Sequence, residues 1–542
     1  MHSSLLASEA LYDNADCHLL EGGGCYKQDG MKHTAVQRLP LIRLGLLTAA
    51  ALAIHGYHLG VEDAEIFLPA AGKLLYPDLY PYAAEFFLSH ERWSLFAPIL
   101  AWTARLTHLS MDWTVFVWYV ATIFATLVAC WMLAAACFES SRAQWSAMLA
   151  VTAALTMPAA NTGLLLMDPY VTARSFSTPL TVFVLAGFFS RRYLLASIAA
   201  VLTILIHPQM ALYLALLGLM LWITRNAASA VPHGNAAMAL AFLLPVDFRF
   251  APAEGPYREA LYARDFYFLF TWTWYDWLGL IAPLFFFAWA FKAKPRGTTQ
   301  AFARLSAALI PFGLLSIAAA AVISSSHLFD MFARVQPLRC FHLITLVFLI
   351  FLGGLIGEYA GGIPSKLRVI AAPALCLSVA ILMFAVERNM YPSSPHIEWP
   401  GMKTSSNAWV NTLLWIRQNT PHAAVFAVDS RYFMDAGVDA HGFRAISHRS
   451  ELADYYKDGG AVAVFPNLAA EWKQMSDSTY GLNHFTAAEF TRLAQNYPVT
   501  WAVIHGAAPA GMDCPYQQRG YAVCRIPDAP GMAATTAAAR NE

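Results

Sequence analysis

The chain is 542 residues long, 58% hydrophobic and only 13% charged, with 35 basic and 35 acidic side chains and a mean hydropathy of +0.46. An ordinary soluble domain carries about 25% charged residues, so the composition speaks against a large soluble enzyme and for a polytopic membrane protein. A formal net charge of zero leaves no electrostatic footprint for nucleic acid.

Residues 1–35, with "EGGGCYKQDG", read as a flexible tail lacking a signal-like apolar core behind a basic start. From 36 to 390 apolar segments recur. A helix needs about 20 apolar residues to cross about 30 Å of hydrocarbon. Eleven spans are expected, near 39–58, 113–138, 143–160, 172–190, 193–207, 209–224, 235–250, 267–291, 300–323, 335–357 and 369–386. The short loops "ESSRAQ", "SRRY", "TRN", "KAKPRG" and "SKLR" all carry Lys or Arg and alternate with the acidic ones. That bias places the N-terminus in the cytoplasm and, with an odd number of spans, the C-terminus outside. Residues 59–112 then form the first outer loop. Within it "WSLFAPILAWTARL", 93–106, is too short to cross and is expected as a helix in the outer interface, with Arg105 on the water side.

After residue 390 the texture changes. "MYPSSPHIEWPG" is a Pro-rich linker. "AAVFAVD", "FRAIS", "GAVAVFP", "TWAVIH" and "YAVCRI" have the composition of strands. "NAWVNTLLWIRQ", "NLAAEWKQM" and "TAAEFTRLAQN" have helical spacing. Residues 391–530 are therefore expected to form a small extracytoplasmic α/β domain, followed by a disordered tail at 531–542. Cys130, Cys137, Cys340 and Cys376 fall in or near apolar spans and read as packing residues. Cys17 and Cys25 lie in the cytoplasmic tail, where disulfides are disfavoured. Cys514 and Cys524 either close a hairpin or remain free thiols.

The unusual polar residues gather on the outer side. Glu62 and Asp63 follow the first span, Asp168 and Arg174 lie between the third and fourth, and His207 ends the fifth. Arg334, Gln336 and Arg339 open the tenth. An ionisable group at the centre of a membrane costs about 2.5–3.5 kcal/mol, so such groups persist where they pair or line a watery cavity. A carboxylate there takes a proton from a hydroxyl or holds a divalent metal, and an arginine grips phosphate with two prongs.

An early acidic pair in a long first outer loop, an acidic residue in the second, interface-lying helices and an outer C-terminal domain together resemble the GT-C superfamily of membrane glycosyltransferases. "ARSFSTPLTVFVLAGFFSRRYLLASIAAVLTILIHPQM" and "FRAISHRSELADYYKDGGAVAVFPNLAAEWKQ" look like a set of uncharacterised bacterial polytopic proteins with that layout. The resemblance covers most of residues 36–530. It implies a GT-C-like fold of about eleven transmembrane helices in the bacterial inner membrane. The implied activity is transfer of a sugar from a polyprenyl-phosphate-linked donor to an acceptor hydroxyl at the outer face. On it Asp63 is the general base or metal ligand, with Glu62 as the other candidate, and Asp168, Arg174, His207, Arg334 and Arg339 bind substrate. "MDPY" offers one carboxylate instead of a DxD pair, so a Mg or Mn cofactor on Asp63 and Asp168 is an open expectation. No WWD-like motif stands in an outer loop, and transfer to asparagine is not expected.

Each assignment has a plainer rival. Glu62 and Asp63 also suit a helix cap, Asp168 before proline a turn, His207 a helix end, and Arg339 a pair with Asp330. A transporter, or a non-catalytic assembly or sensor protein, are the alternative functions. The chain lacks the duplicated halves common in transporters.

Overall fold

The structure, a computed structural model, describes residues 40–226, 250–360 and 365–527, with the side chains of 365–373 left aside. In chain order the helices are α1 (Leu41–His55), α2 (Ala64–Leu75), α3 (Glu85–Glu91), α4 (Phe96–Thr107), α5 (Met111–Cys137), α6 (Ser141–Ala153) and α7 (Ala173–Phe189). There follow α8 (Tyr193–Ile206), α9 (Pro208–Ile223), α10 (Gly255–Tyr262), α11 (Trp274–Ala293), α12 (Gln300–Ser325), α13 (Phe341–Tyr359) and α14 (Ser365–Met390).

The expectation of about eleven membrane spans is corrected here. Among the described residues four segments are long and apolar enough to cross a membrane: α5, α11, α12 and His327–Tyr359. They coincide with the expected spans near 113–138, 267–291, 300–323 and 335–357. The run expected as three spans at 172–224 forms α7, α8 and α9, of 17, 14 and 16 residues, below the roughly 20 a crossing needs. His207 and Pro208 separate α8 from α9, since proline fits only the first turn of a new helix. α1 and α6 have 15 and 13 residues. The span expected at 235–250 lies almost wholly outside the described residues, and 369–386 falls within α14.

With the span count goes the rest of what the resemblance implied. The GT-C-like polytopic fold, the glycosyltransferase class, sugar transfer from a lipid-linked donor, the transporter and membrane-assembly alternatives, and the multi-pass inner-membrane placement all required that architecture. Four qualifying segments do not supply it.

In the helical part α13 packs on α6, α5 on α7, and α7 on α8. The α6–α13 contact depends on small residues. A Cβ on Gly353 would lie 2.6 Å from that of Ala150, and one on Gly357 2.5 Å from that of Ser146. Aromatic rings fill the wider spaces, with Phe302 stacked on Phe351 at 4.1 Å.

Beyond residue 407 come α15 (Ala408–Asn419), β1 (Val425–Ala427), α16 (Phe443–Ser447), β2 (Ser450–Glu451), α17 (Lys457–Val464), α18 (Ala469–Thr479), α19 (Ala487–Asn496), β3 (Trp501–His505), β4 (Asp513–Gln518) and β5 (Tyr521–Arg525). The sheet order is β2-β1-β3-β5-β4; β1 runs parallel to β2 and β3, and β5 antiparallel to β3 and β4. Three of the five expected strands form. "FRAIS" and "GAVAVFP" instead form α16 and most of α17, because short apolar runs fit a buried helix as well as a strand. Cys514 and Cys524 are joined, closing the β4–β5 hairpin. One core cluster combines Val425, Ala502 and Trp472 with Phe86, Tyr257 and Leu261 from the helical part. The described residues from Leu41 onward accordingly form one compact unit.

Candidate functional site

The segment leaving α1 connects the two parts of this unit. Gly56 has φ +70, and a Cβ there would sit 2.4 Å from the carbonyl oxygen of His396, so only glycine lets the chain turn this close. Tyr57 N–H then donates to His396 O at 3.0 Å, and Glu398 N–H donates to Tyr57 O at 2.9 Å. Gly442 N–H donates to Gly60 O at 2.8 Å, and Glu62 N–H to Ala440 O at 2.8 Å. The turn-containing strip 56–62 is thereby clamped between the linker at 396–398 and the loop at 438–442.

This clamp brings His58, Glu398 and His441 together. All three are buried, and one ligand atom from each lies within 4.8 Å of the others. His441 Nε2 is 2.9 Å from Glu398 Oε1, and its Nδ1 is 2.9 Å from the Val438 carbonyl. His58 Nε2 is 2.8 Å from Glu387 Oε1. A carboxylate and a carbonyl accept, so these outward-facing ring nitrogens carry the protons; His58 Nδ1 is left free to ligate, while His441 Nε2 meets the Glu398 carboxylate directly. His58 Nδ1 is buried with no hydrogen-bond partner, 3.9 Å from Glu398 Oε2. That separation is too long for a hydrogen bond. The Tyr391 ring covers the His58 ring at 4.0 Å.

A second polar cluster lies around the residues singled out in the sequence. Lys457 Nζ pairs with Glu62 and lies 3.1 Å from Asp63 Oδ1. Buried Arg174 pairs with buried Asp168 at 2.5 Å. Burial pushes the Asp63 carboxyl up, but Lys457, Arg174 and Arg339 together outweigh it and hold it well below the usual range. Asp168 goes the other way: burial raises it, Asp63 and Glu62 add to the rise, and Arg174 only partly offsets them. The His207 ring accepts from Met210 N–H at the start of α9 at 3.4 Å. Burial, with Arg174 and Arg339 near, lowers its pKa to about 3, so it stays neutral.

The structure thus brings Glu62, Asp63, Asp168, Arg174, His207 and Arg339 within one electrostatic neighbourhood. Arg334 stands apart: its Nε donates to Met331 O, and its side chain reaches the Val464 carbonyl. Arg339 does not pair with Asp330, whose carboxylate bonds Ala253 N–H and the Tyr262 hydroxyl. Asp63 and Asp168 are not part of the metal-capable trio. Sequence reasoning missed that trio. The one available signal was "HIE" in the linker, whose two polar side chains stand among prolines.

No known protein family matches the chain, and no curated protein matches it either.

Proposed function

We propose that this protein binds a divalent transition-metal ion through His58, His441 and Glu398, and that the ion fastens the C-terminal α/β part to the strip leaving α1. One observation carries the proposal: the buried, unpartnered Nδ1 of His58 faces the Glu398 carboxylate across a space no hydrogen bond fills. Two imidazole nitrogens and a carboxylate suit zinc better than magnesium or manganese, which favour oxygen ligands. Glu387 and the Val438 carbonyl would hold the two rings in the ligating tautomer. The three ligands come from residues far apart in the chain, so the ion acts as a cross-link. At free metal about 100-fold above its dissociation constant it adds about 2.7 kcal/mol to stability.

The test is elemental analysis of the purified full chain, followed by thermal unfolding with and without chelator. About one zinc per chain is expected for a single three-residue site. Chelation should lower the Tm, and zinc should restore it. His58→Ala should lose both the metal and the chelator response. A wild-type chain that takes up no zinc, or a His58→Ala chain that keeps it, removes the proposal.

A second reading is favoured by Arg339. Among the described residues its side chain has no hydrogen-bond or ion-pair partner, its Nε is buried, and its guanidinium rests only over the Phe266 ring, 6.0 Å from the centroid. The Nε of Arg174 is likewise buried and unpartnered. The guanidinium of Arg339 suits an oxyanion of the phosphate class, with the Nε of Arg174, whose other end is held by Asp168, as a second donor. Titration calorimetry with inorganic pyrophosphate should give saturable binding, weakened at least tenfold in Arg339→Gln. Equal binding by the variant rejects this reading.

A further inference from the structure

The helical part carries a broad apolar flank that no described residue covers. On α11, Trp274, Leu278, Ile281, Phe285 and Trp289 are all exposed, Phe285 by 72%. Their spacing of three or four residues sets them in one stripe along the helix. Leu194, Ile198, Val201 and Leu205 form the same kind of stripe on α8. α12 packs on α11 and on α9, and α9 on α8, so the stripes belong to neighbouring helices of one surface. Leu314, Leu315 and Val322 of α12 are exposed as well. A contiguous apolar surface of more than a few hundred Å² marks an interaction site.

Both rims of the flank are aromatic. The 20 residues of α11 span about 30 Å. Trp274 and Tyr275 stand exposed at its start and Trp289 near its end. On α8, Tyr193 is exposed at the start. At the end of α8 the Leu205 carbonyl accepts from Leu95 N–H at 2.8 Å, which brings exposed Trp93 alongside. Trp and Tyr rings favour the level at which an apolar layer meets lipid headgroups and water.

One rim is also basic. Arg191 and Arg192 lie in the turn before α8, and Lys292, Lys294 and Arg296 lie at the end of α11 and in the loop to α12; all five are exposed. The Arg304 guanidinium, in the first turns of α12, rests over the rings of Phe188 and Phe189 at 5.7 and 5.9 Å, so that turn and that loop share one end of the helices. None of the five has an ion-pair partner among the described residues. Two carboxylates stand at the same end: Glu139, whose N–H donates to the Gly297 carbonyl at 3.0 Å, and Glu358, which accepts from the Ser140 hydroxyl. The rim stays positive. A second copy of the chain would bring the same positive rim with it. Phospholipid supplies both complements, acyl chains for the stripes and a negative headgroup for the rim.

We propose that this flank binds anionic phospholipid, with acyl chains on the stripes of α8 and α11 and the headgroup phosphate on Arg191, Arg192, Lys292, Lys294 and Arg296. Of the helices involved, α11 and α12 are long and apolar enough to cross a membrane, and α8 and α9 are not. The contact rests on exposed faces and charge, and it is independent of the metal site.

Vesicle flotation of the full chain decides it, with vesicles of phosphatidylcholine alone or mixed with phosphatidylglycerol. The chain should float with both and bind the mixed vesicles more tightly. Arg192→Gln/Lys292→Gln/Arg296→Gln should weaken binding to the mixed vesicles by about tenfold or more and leave binding to phosphatidylcholine unchanged. Ile198→Glu/Phe285→Glu should abolish binding to both at an unchanged Tm, since both side chains are exposed. A chain that floats with neither, a triple variant that keeps the preference for phosphatidylglycerol, or a double variant that floats like the wild type overturns the proposal. So does a lipid-free dimer that the double variant splits, which would assign the flank to a second copy.

Discussion

Replacing Arg444 by methionine removes, among the described residues, the arginine that faces a cluster of four buried carboxylates. Its guanidinium makes two parallel bonds to Asp458, of 2.9 and 2.5 Å. It also lies 3.5 Å from Glu65 and 3.7 Å from Glu451. Asp454 belongs to the same cluster and donates its N–H to Asp458 at 2.9 Å. Breaking a buried pair by removing one partner costs about 3–5 kcal/mol, because a charge is left without compensation. Methionine keeps the length and apolar bulk of the stem, so the loss is electrostatic and not a cavity effect.

The pH dependence follows from the carboxyls. Burial raises Glu65 to about 7 against the pull of Arg444, and burial with Asp458 beside it raises Asp454 to about 7. Glu451 is also raised by burial, and neither of its oxygens has a hydrogen-bond partner. A carboxyl whose folded pKa exceeds its unfolded value binds more protons when folded, so stability falls as pH rises from the unfolded value toward 7. Arg444→Met removes the one group that lowers all three, and the decline should steepen and extend above pH 7. Urea unfolding of the full chain should show a deficit of about 3–5 kcal/mol at pH 8.5 that is smaller at pH 5.5, where Glu65 and Asp454 are neutral in both chains and no longer need the guanidinium. Equal deficits at the two pH values, or less than about 1 kcal/mol at pH 8.5, would refute the reasoning.

Two further outcomes are expected. Gly56→Ala must hold a positive φ, at a cost of about 1–2 kcal/mol, and must also push aside the His396 carbonyl. Its Tm should drop and its zinc content fall with it, as read by thermal unfolding and elemental analysis. Lys457→Met separates Glu62 and Asp63 from their partner; those carboxylates are 37% and 38% exposed, so solvent screening limits the loss to about 1 kcal/mol. Because the folded Asp63 pKa is depressed, its contribution is present above the unfolded carboxylate value and is lost as pH falls below it. The acid limb of the stability curve should therefore flatten in Lys457→Met.

How much of this was legible in the sequence varies with the range of the signal. The long apolar helices α5 and α12 are legible with ends near those observed, and α11 with a start seven residues too early, because a run of about 20 apolar residues has one common reading. At 172–224 the three expected segments have the bounds of α7, α8 and α9 within a residue; what fails is their reading as spans, since 17, 14 and 16 residues fall short of the roughly 20 a crossing needs. "TWAVIH" and "YAVCRI" read correctly as strands, whereas β2 has two residues and no pattern to find. α16 was missed for a different reason. Its amide groups of Arg444 and Ala445 donate to the Glu65 carboxylate, each at 2.9 Å, from 379 and 380 residues away. A cap supplied from that distance leaves no local trace. The metal-capable trio is invisible for the same reason: its members are separated by 340 and 43 residues, and neither interval is a spacing motif.

The clustered acids after α1 gain a different meaning from these contacts. His58, Glu62, Asp63 and Glu65 lie within eight positions, and every one of them reaches the C-terminal part of the chain or the linker before it. His58 faces Glu398, Glu62 and Asp63 hold Lys457, and Glu65 holds the start of α16. Carboxylates assigned from the sequence to proton transfer are engaged in docking. A base needs a free lone pair and access to a substrate hydroxyl. Asp63 has an ammonium at 3.1 Å and a proton affinity depressed by three cations, which makes it a poor proton acceptor. The chemical capacity of this region lies instead in groups that the docking leaves unmatched, the Nδ1 of His58 and the guanidinium of Arg339. Both sit where elements distant in sequence meet, so a ligand at either would be held only by the assembled fold.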